Sequence, residues 1–535
     1  MKSFPIAHRQ ISLSILVRFA SILGFVGGVV ALTLSFMNPP PAAGEGVPAT
    51  EFSSARALKH LAVIAQRPHP VGSAEHQVVF DYLVQEVSRL HGLAEIQTTP
   101  APSEGNHPQR LQNIIARLKG SDSSSRALML AAHYDSVPGS PGAGDDGSGV
   151  VTLLETLRAL KAAPPLKNDV IFLFTDGEEL GSLGARFFVE DHPWAKDVEL
   201  VLNFEARGSS GPVFMFETSK SNGRLIREFA RAAPYPFTNS LMNEFYRLLG
   251  NDTDLTVFKR ARLAGLNFAY VGSSWNYHSP RDIVSNVDER SIQHHGTYAL
   301  ALTRHFGNLD LRNVEAPDVI YFDVLGRKVF SYGQTWNLVL TVFLSLLAAG
   351  VSALGFRSGD LSFSGLGLGM VLFIANLVCA LILATLLPVS QVGPNAVYYF
   401  WVLMVITASI VLTTYVLGRR RIKVDEHCAG ALLALTLIAA AVNLALSGGS
   451  FLLTWPLVFS LIALAASFSL KRRFSSSVAV LVLVAVCSVP GIVLFTQMLH
   501  NVFQGFSLSS PYVLVILELL LLGLLTPFLK YFRHE

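Results

Sequence analysis

Beyond its midpoint the chain is dominated by apolar runs, at about Trp336–Leu354, Leu366–Leu387, Val397–Leu417, Ala429–Leu446, Phe451–Leu470, Val478–Leu499 and Tyr512–Tyr531, with almost no charge inside them. Each is roughly 18–23 residues long, about what a helix needs to cross a bilayer. In hydrocarbon, backbone N–H and C=O groups must be paired within the protein, so isolated spans fold as helices. Phe19–Met37 is a further apolar run, preceded by Lys2, Arg9 and Arg18. It has the form of a signal sequence but the length of a spanning helix, and reads as an uncleaved anchor. Charged residues make up only 15% of the chain, against about 25% in soluble domains. The deficit lies in these runs, whereas residues from about 50 to 325 carry an ordinary mix and can form a soluble domain.

Orientation follows from the basic residues between spans. Arg357, the cluster Arg419, Arg420, Arg421 and Lys423, the cluster Lys471, Arg472 and Arg473, and the terminal Lys530 and Arg533 all fall on the side of the N-terminus. The alternating loops Pro388–Ala396, Ser447–Ser450 and His500–Pro511 are nearly uncharged. Both termini are therefore expected in the cytoplasm, with the domain between the first two spans facing periplasm, lumen or exterior. The expected layout is 1–37 for the N-terminus and first span, 38–50 as linker, 51–318 as the extracytoplasmic domain, 319–335 as linker and 336–535 as a seven-span all-α region. A net charge of +3 mostly reflects the basic loops and gives no reason to expect nucleic acid as a partner. The cysteines, Cys379, Cys428 and Cys487, all lie in or beside apolar segments, so the outer domain uses no disulfide or thiol chemistry.

In that domain short apolar runs alternate with helical patterns. Strands are expected at Arg110–Leu118, Ala127–Ala132, Asp169–Phe174, Glu199–Phe204 and Leu266–Val271. Helices are expected at Glu51–Ala65, Gln77–Leu90, Ser148–Leu160, Gly184–Phe188 and Asn222–Ala232. This is an α/β domain with a mostly parallel central sheet flanked by helices. Sites in such sheets gather at the carboxyl ends of the strands, and five polar stretches fall there: His133-Tyr-Asp135, Asp145-Asp146, Asp176-Gly-Glu178-Glu179, Asn203-Phe-Glu205 and Tyr277-His278. Two imidazoles with several carboxylates suit zinc. Taken singly each stretch has a bland reading: a turn histidine, a helix cap at Asp146, a solvated acidic turn, an ion pair at Glu205. Their joint placement at strand ends favours a metal site. His294 and His295, without ligand-like neighbours in sequence, read as surface residues.

The order of these motifs resembles peptidase family M28, the zinc aminopeptidases. The matching pieces are His133-Tyr-Asp135-Ser, Gly142-Ala-Gly-Asp145-Asp146-Gly-Ser-Gly149, Asp176-Gly-Glu178-Glu179-Leu-Gly181-Ser and Tyr277-His278-Ser-Pro-x-Asp282, within about Leu58–Leu309. The resemblance implies two zinc ions per chain. His133 and Glu205 would hold one, Glu179 and His278 the other, with Asp145 bridging. It further implies Glu178 as general base, Asp135 as the partner orienting His133, Asp146 as support of a strained turn, and Tyr277 as an aid to the oxyanion. Glu205 stands where many members have Asp. One leading span, an outward domain and a multi-span C-terminal region are similar to the membrane-bound branch of that family, which includes fungal vacuolar membrane proteases and animal endoplasmic-reticulum metallopeptidases.

The implied activity is removal of N-terminal residues from peptides by a protein that also has the lipid bilayer as a partner; the sequence does not define an oligomeric state. The alternatives are a single-zinc glutaminyl cyclase, or a catalytically inert binding domain on the same fold. In a further alternative the C-terminal spans transport and the hydrolase is accessory, Glu518 being an intramembrane carboxylate. Facing another helix is the simpler role for Glu518, as interhelical hydrogen bonding is for Asn376 and Asn443.

Overall fold

The computed structural model of the chain describes residues 13–99, 110–122, 126–386, 395–419, 421–470, 477–506 and 510–532. Of the basic residues used for orientation, Lys2, Arg9, Arg420, Lys471, Arg472, Arg473 and Arg533 lie outside them, as does most of the Pro388–Ala396 loop. The chain divides into two compact units, one of 36–336 with 503–507, the other of the remaining residues.

The first unit begins with α2 (Ser54–Ile64) and α3 (Ala74–His91), α1 (Leu13–Phe36) belonging to the second. It continues through β1 (Glu95–Thr98), β2 (Gln112–Leu118), β3 (Ala127–His133), α4 (Gly147–Lys161), β4 (Asp169–Thr175), α5 (Leu183–Asp191), β5 (Val198–Ala206) and β6 (Phe214–Thr218). Then come α6 (Gly223–Ala232), β7 (Phe237–Thr238), α7 (Ser240–Leu249), α8 (Asp254–Arg260), β8 (Ala264–Tyr270), α9 (Glu289–Phe306), β9 (Val319–Val324) and β10 (Lys328–Gly333). The eight-stranded sheet has the order β1-β2-β4-β3-β5-β8-β6-β7. Its centre, β4-β3-β5-β8, is parallel. Outside it, β1-β2, β2-β4 and β6-β8 pair antiparallel, so the sheet is mixed, with a parallel core. The reason is local: β3 and β4 are buried along their whole length, as strands covered on both faces must be, whereas β1 alternates half-buried with exposed residues. One face packs Leu128, Leu130, Phe172, Phe174, Leu202 and Phe204 against α2, α4 and α9; the other packs Met129, Ile171, Leu173 and Val201 against α5 and α8.

Every strand and helix expected in this unit forms. The short elements β1, β6, β7, α7, α8 and the long α9 were not expected, and residues 319–335, read from sequence as a linker, form the β9-β10 hairpin.

His294 and His295 are fully buried in α9, contrary to the surface reading. Val213 N–H donates to His294 Nδ1 at 3.0 Å, and His294 Nε2 donates to the Tyr235 carbonyl at 3.2 Å. His295 stands edge-on to Phe204, 5.5 Å between ring centres. α9 turns these positions inward together with Ile292, Tyr298 and Leu302, and imidazole serves there as a flat core ring. Burial pushes both imidazoles down to about 3.

The second unit holds α10 (Thr335–Ser358), α11 (Phe363–Leu386), α12 (Ala396–Gly418), α13 (Val424–Ala445), α14 (Ser450–Leu470), α15 (Ser477–Phe506) and α16 (Pro511–Leu524), together with α1. Seven stretches of the described residues, including Val17–Phe36, are helical, long and apolar enough to cross a membrane, and the protein is a multi-pass membrane protein. The expected last span differs: α16 ends at Leu524 and a 3-10 segment, Thr526–Phe532, follows. Pro527 has no N–H to continue the α-helical ladder, and the segment that contains it is 3-10. Thr414 of α12 donates to Asn376 of α11 at 2.8 Å, and Asn337 of α10 donates to the Asn443 carbonyl of α13 at 3.0 Å. These are the interhelical bonds expected of Asn376 and Asn443. Glu518 is buried and bonded to Thr407 of α12, as the helix-facing reading required.

Unfolding frees His294 and His295 to ionise near 6.5, so the unfolded chain binds more protons between that pH and about 3. Stability from these residues is full above pH 6.5 and falls on acidification by roughly 1.4 kcal/mol per pH unit for each imidazole. Thermal melts at pH 7.5 and 5.5 should therefore diverge more for the wild type than for His295→Phe. Equal divergence would contradict this account.

Candidate metal centre

The four parallel strands end side by side. His133 of β3 pairs with Thr175 of β4 in register, and Glu205 of β5 with Ala269 of β8. The loop after each strand thus opens onto the same edge, and these loops carry the remaining acids and His278.

His133 is buried at the end of β3. Its Nδ1 faces Asp135, 3.0 Å from the carbonyl oxygen and 3.4 Å from Oδ1. That leaves Nε2 toward the acids, 3.4 Å from Asp145 Oδ1 and 3.6 Å from Glu205 Oε2. On the other side, His278 Nε2 lies 2.9 Å from Asp145 Oδ2 and 3.2 Å from Glu179 Oε1. The two oxygens of Asp145 therefore face different histidines. Two groups result, His133-Asp145-Glu205 and Asp145-Glu179-His278, each with donor atoms mutually within 4.8 Å, and Asp145 belongs to both. His133, Glu178 and Glu179 form a third such group.

The backbone fixes this arrangement. Asp145 and Asp146 are joined by a cis peptide. Asp282 takes the Gly144 and Asp145 N–H groups on its two oxygens, at 2.7 and 3.1 Å. Asp146 caps α4 by accepting from Gly149 N–H at 3.0 Å, and also accepts from His133 N–H at 3.3 Å. Its bland reading as a helix cap thus holds together with a role in seating His133. Asp135 accepts the N–H groups of Glu178 and Glu179 at 3.1 and 3.2 Å, so one buried carboxylate touches the His133 ring and both acids' backbone. Gly177, at φ 71°, turns the chain there as glycine does at no steric cost. Asp176 takes a different part: it accepts from Gln112 N–H at 2.8 Å and contacts His76 Nε2 at 2.8 Å, tying β4 to β2 and α3 rather than joining the cluster.

Electrostatics mark the cluster as built for cations. Burial pushes Glu205 up to about 8, with Asp145 and Asp254 adding to the rise. Burial likewise holds Glu178 well above the usual carboxylate range. Burial would raise Asp145 too, but hydrogen bonds from His133 and His278 outweigh it and hold it at about 2. Glu179 Oε1 is buried without a hydrogen bond. A dense group of buried acids with so few protein donors calls for positive charge between them. Imidazole with carboxylate is the donor set that zinc accepts, so the residues fit that metal.

Tyr277 stacks on His278, 3.7 Å between ring centres, and Arg207 lies over its ring at 5.6 Å. Two residues went unassigned from sequence. Asp254 is buried and takes a hydrogen bond from Thr175, at the start of the Glu178-Glu179 loop. Arg207, two residues past Glu205, drew no attention. Asp254 opens α8 after Thr253, an ordinary helix start, and Arg207 is a lone arginine in a loop, so local pattern gave neither away.

Residues 113–303 match the model of peptidase family M28. That stretch is similar to an M28 peptidase domain. Mouse endoplasmic reticulum metallopeptidase 1 is 26% identical over 384 residues, covering 65% of this chain and 42% of that protein. The vacuolar membrane protease of Candida tropicalis is 32% identical over 307 residues, covering 53% of this chain and 33% of that protein. The chain thus spans less than half the length of these relatives. Among solved structures, an aminopeptidase from Aneurinibacillus sp. strain AM-1 overlays with a TM-score of 0.41 at 14% identity, over 50% of this chain and 98% of that one. A Porphyromonas gingivalis glutaminyl cyclase overlays with a TM-score of 0.39 at 22% identity, over 47% and 98%. The M28 match begins at Asn113 on β2 and ends at Thr303 in α9, so it takes in every residue of the cluster.

Replacing Asp282 by Ala leaves the Gly144 and Asp145 N–H groups buried without an acceptor. The expected cost is about 1–3 kcal/mol of stability, with zinc retention weakened by roughly 10–100-fold. Denaturant melts and metal titration of Asp282→Ala check both; unchanged zinc affinity would detach Asp282 from the centre.

Proposed function

We propose that the M28 domain is a di-zinc aminopeptidase, tethered to the membrane, that removes N-terminal residues from peptides outside the cytoplasm. The observation that carries the reading is Asp145, whose two carboxylate oxygens face different histidines in two separate groups of candidate ligands. In this reading His133 and Glu205 hold one zinc, Glu179 and His278 the other, and Asp145 both. Bound zinc supplies Lewis-acid polarisation of the scissile carbonyl and a water acidified toward neutral pH.

The chain's own residues do the rest. Glu178 Oε takes the proton from the attacking water and gives it to the leaving amine nitrogen. Asp135 holds the His133 ring through Nδ1 and pins the Glu178 backbone, so base and ligand keep their spacing. Tyr277 offers a hydroxyl group to the developing oxyanion. Asp254 steadies the start of the Glu178 loop through Thr175. The basic residues between the spans support both termini in the cytoplasm and this domain on the opposite side. Residues 1–37 anchor it from one end and 336–535 from the other.

In the full-length protein, Glu178→Gln should retain zinc and lose roughly 10²–10⁴-fold in kcat on an aminoacyl-peptide; full turnover in that variant refutes the base assignment. Asp145→Ala should lose both metals by elemental analysis. Two tightly held zincs in Asp145→Ala would break the bridging role. One zinc in the wild type, with cyclisation of N-terminal glutamine and no peptide cleavage, would move the protein to the cyclase class. No zinc in folded protein would make it a binding domain.

A further inference from the structure

Arg207 follows the end of β5, and its side chain is partly buried. It makes no ion pair with any described residue, although Asp145, Glu178, Glu179 and Glu205 gather nearby; its recorded contact is the face of Tyr277. The position is held firmly by the backbone. Arg207 N–H donates to the Tyr270 carbonyl at 3.0 Å, and the Ser209 and Ser210 N–H groups donate to the Gly272 carbonyl at 2.8 and 3.1 Å. Gly272 N–H returns a bond to the Ser210 carbonyl at 2.8 Å. Between them, a Cβ on Gly208 would sit 2.2 Å from the Gly272 oxygen, so only glycine permits this approach. Asn276 donates to the Ser209 hydroxyl at 2.8 Å, which extends the lock to the residue before Tyr277. The root of Arg207 and the loop bearing Tyr277 and His278 are thus one rigid piece beside the proposed reaction centre.

A guanidinium does not lose its charge, and its planar fork matches a carboxylate in two parallel hydrogen bonds. Two divalent ions would cancel the charge of Asp145, Glu178, Glu179 and Glu205, which leaves Arg207 as a positive group without an anionic partner among the described residues. We propose that Arg207 recognises a carboxylate on the peptide substrate, either the free C-terminus of a short peptide or an acidic side chain next to the scissile bond. This rests on the peptidase reading and names the substrate class of the same site: short or acidic peptides. A charge-assisted hydrogen bond of this kind, partly desolvated, is worth roughly ten- to a hundredfold in binding.

The test uses the full-length, zinc-loaded protein with four substrates: Ala-Ala, Ala-Ala-amide, Ala-Glu-amide and Ala-Gln-amide. Wild type should favour Ala-Ala over its amide, or Ala-Glu-amide over Ala-Gln-amide, by roughly ten- to a hundredfold in kcat/KM. The pair that responds identifies the source of the carboxylate. Arg207→Gln should collapse that ratio toward one, and Arg207→Lys should keep part of it. In Glu178→Gln protein, calorimetry should give the same preference as a ratio of Kd, lost on adding Arg207→Gln. Should Arg207→Gln fail to fold in a thermal melt, Arg207→Lys, which keeps charge but not the fork, must still lower the ratio. No preference in either pair, or a preference that survives Arg207→Gln, overturns the proposal. So does an equal loss on acid and amide, which would assign Arg207 to holding Tyr277. If folded, zinc-loaded wild type cleaves none of the four, the peptidase reading fails instead, and the Kd ratio still decides Arg207.

Discussion

Mutual repulsion among buried carboxylates is the constraint around which the outer domain is organised. Asp145, Glu179 and Glu205 converge on two histidines in a space closed to water on most sides, and Glu178 and Asp254 add further negative charge. A fold tolerates this only where the backbone is rigid enough to resist spreading and where cations share the space. The parallel core supplies the rigidity. β3 and β4 are buried from end to end, and their register leaves no freedom to slide. The loops that leave them are cross-tied by Asp135, Asp282 and Asp254, each of which accepts hydrogen bonds from a neighbouring loop or strand end. Carboxylates thus serve here in two ways, some gathered as candidate metal ligands and others holding those in place.

Much of this was readable from the chain. Runs such as Ala127–Ala132 and Asp169–Phe174 are too apolar and too short to be anything but central strands, and polar residues directly after them must lie at one sheet edge. That logic found His133, Asp145, Glu178, Glu179, Glu205 and His278, and the structure brings all of them together. It missed residues whose partners are distant in sequence. Asp254 meets Thr175 across 79 positions and Asp282 meets Gly144 across 138. Neither pairing leaves a mark in local pattern. Histidines 294 and 295 were misread because imidazole is usually found at surfaces, and only the packing of α9 reveals them as core rings. The sheet edges were beyond reach for a related reason: β7 is two residues long, and its place is set by neighbours rather than by its own composition.

The membrane part follows a simpler rule. Hydrocarbon penalises every unpaired backbone group, so length and apolarity almost determine the outcome. Two departures stand out: α15 runs on to Phe506 through residues 500–506 of the expected loop, and the last α-helix ends at Leu524 ahead of a 3-10 segment that contains Pro527. Some polar side chains inside the helices bond across them: Thr414 to Asn376 and Asn337 to the Asn443 carbonyl.

The contact of Asp135 with two successive amide groups has a consequence for how chemical roles are allotted. Glu178 and Glu179 are identical side chains on adjacent residues; nothing intrinsic makes one a base and the other a ligand. What separates them is the side of the pinned peptide from which each emerges. Deleting one residue between Thr175 and Glu178 would seat Glu179 at the first position and Leu180 at the second; in the proposed reading a ligand would take the place of the base and a hydrocarbon the place of the ligand. Identity in this loop is a property of address, counted from the end of β4, and the count is kept by a carboxylate in the loop that follows the neighbouring strand.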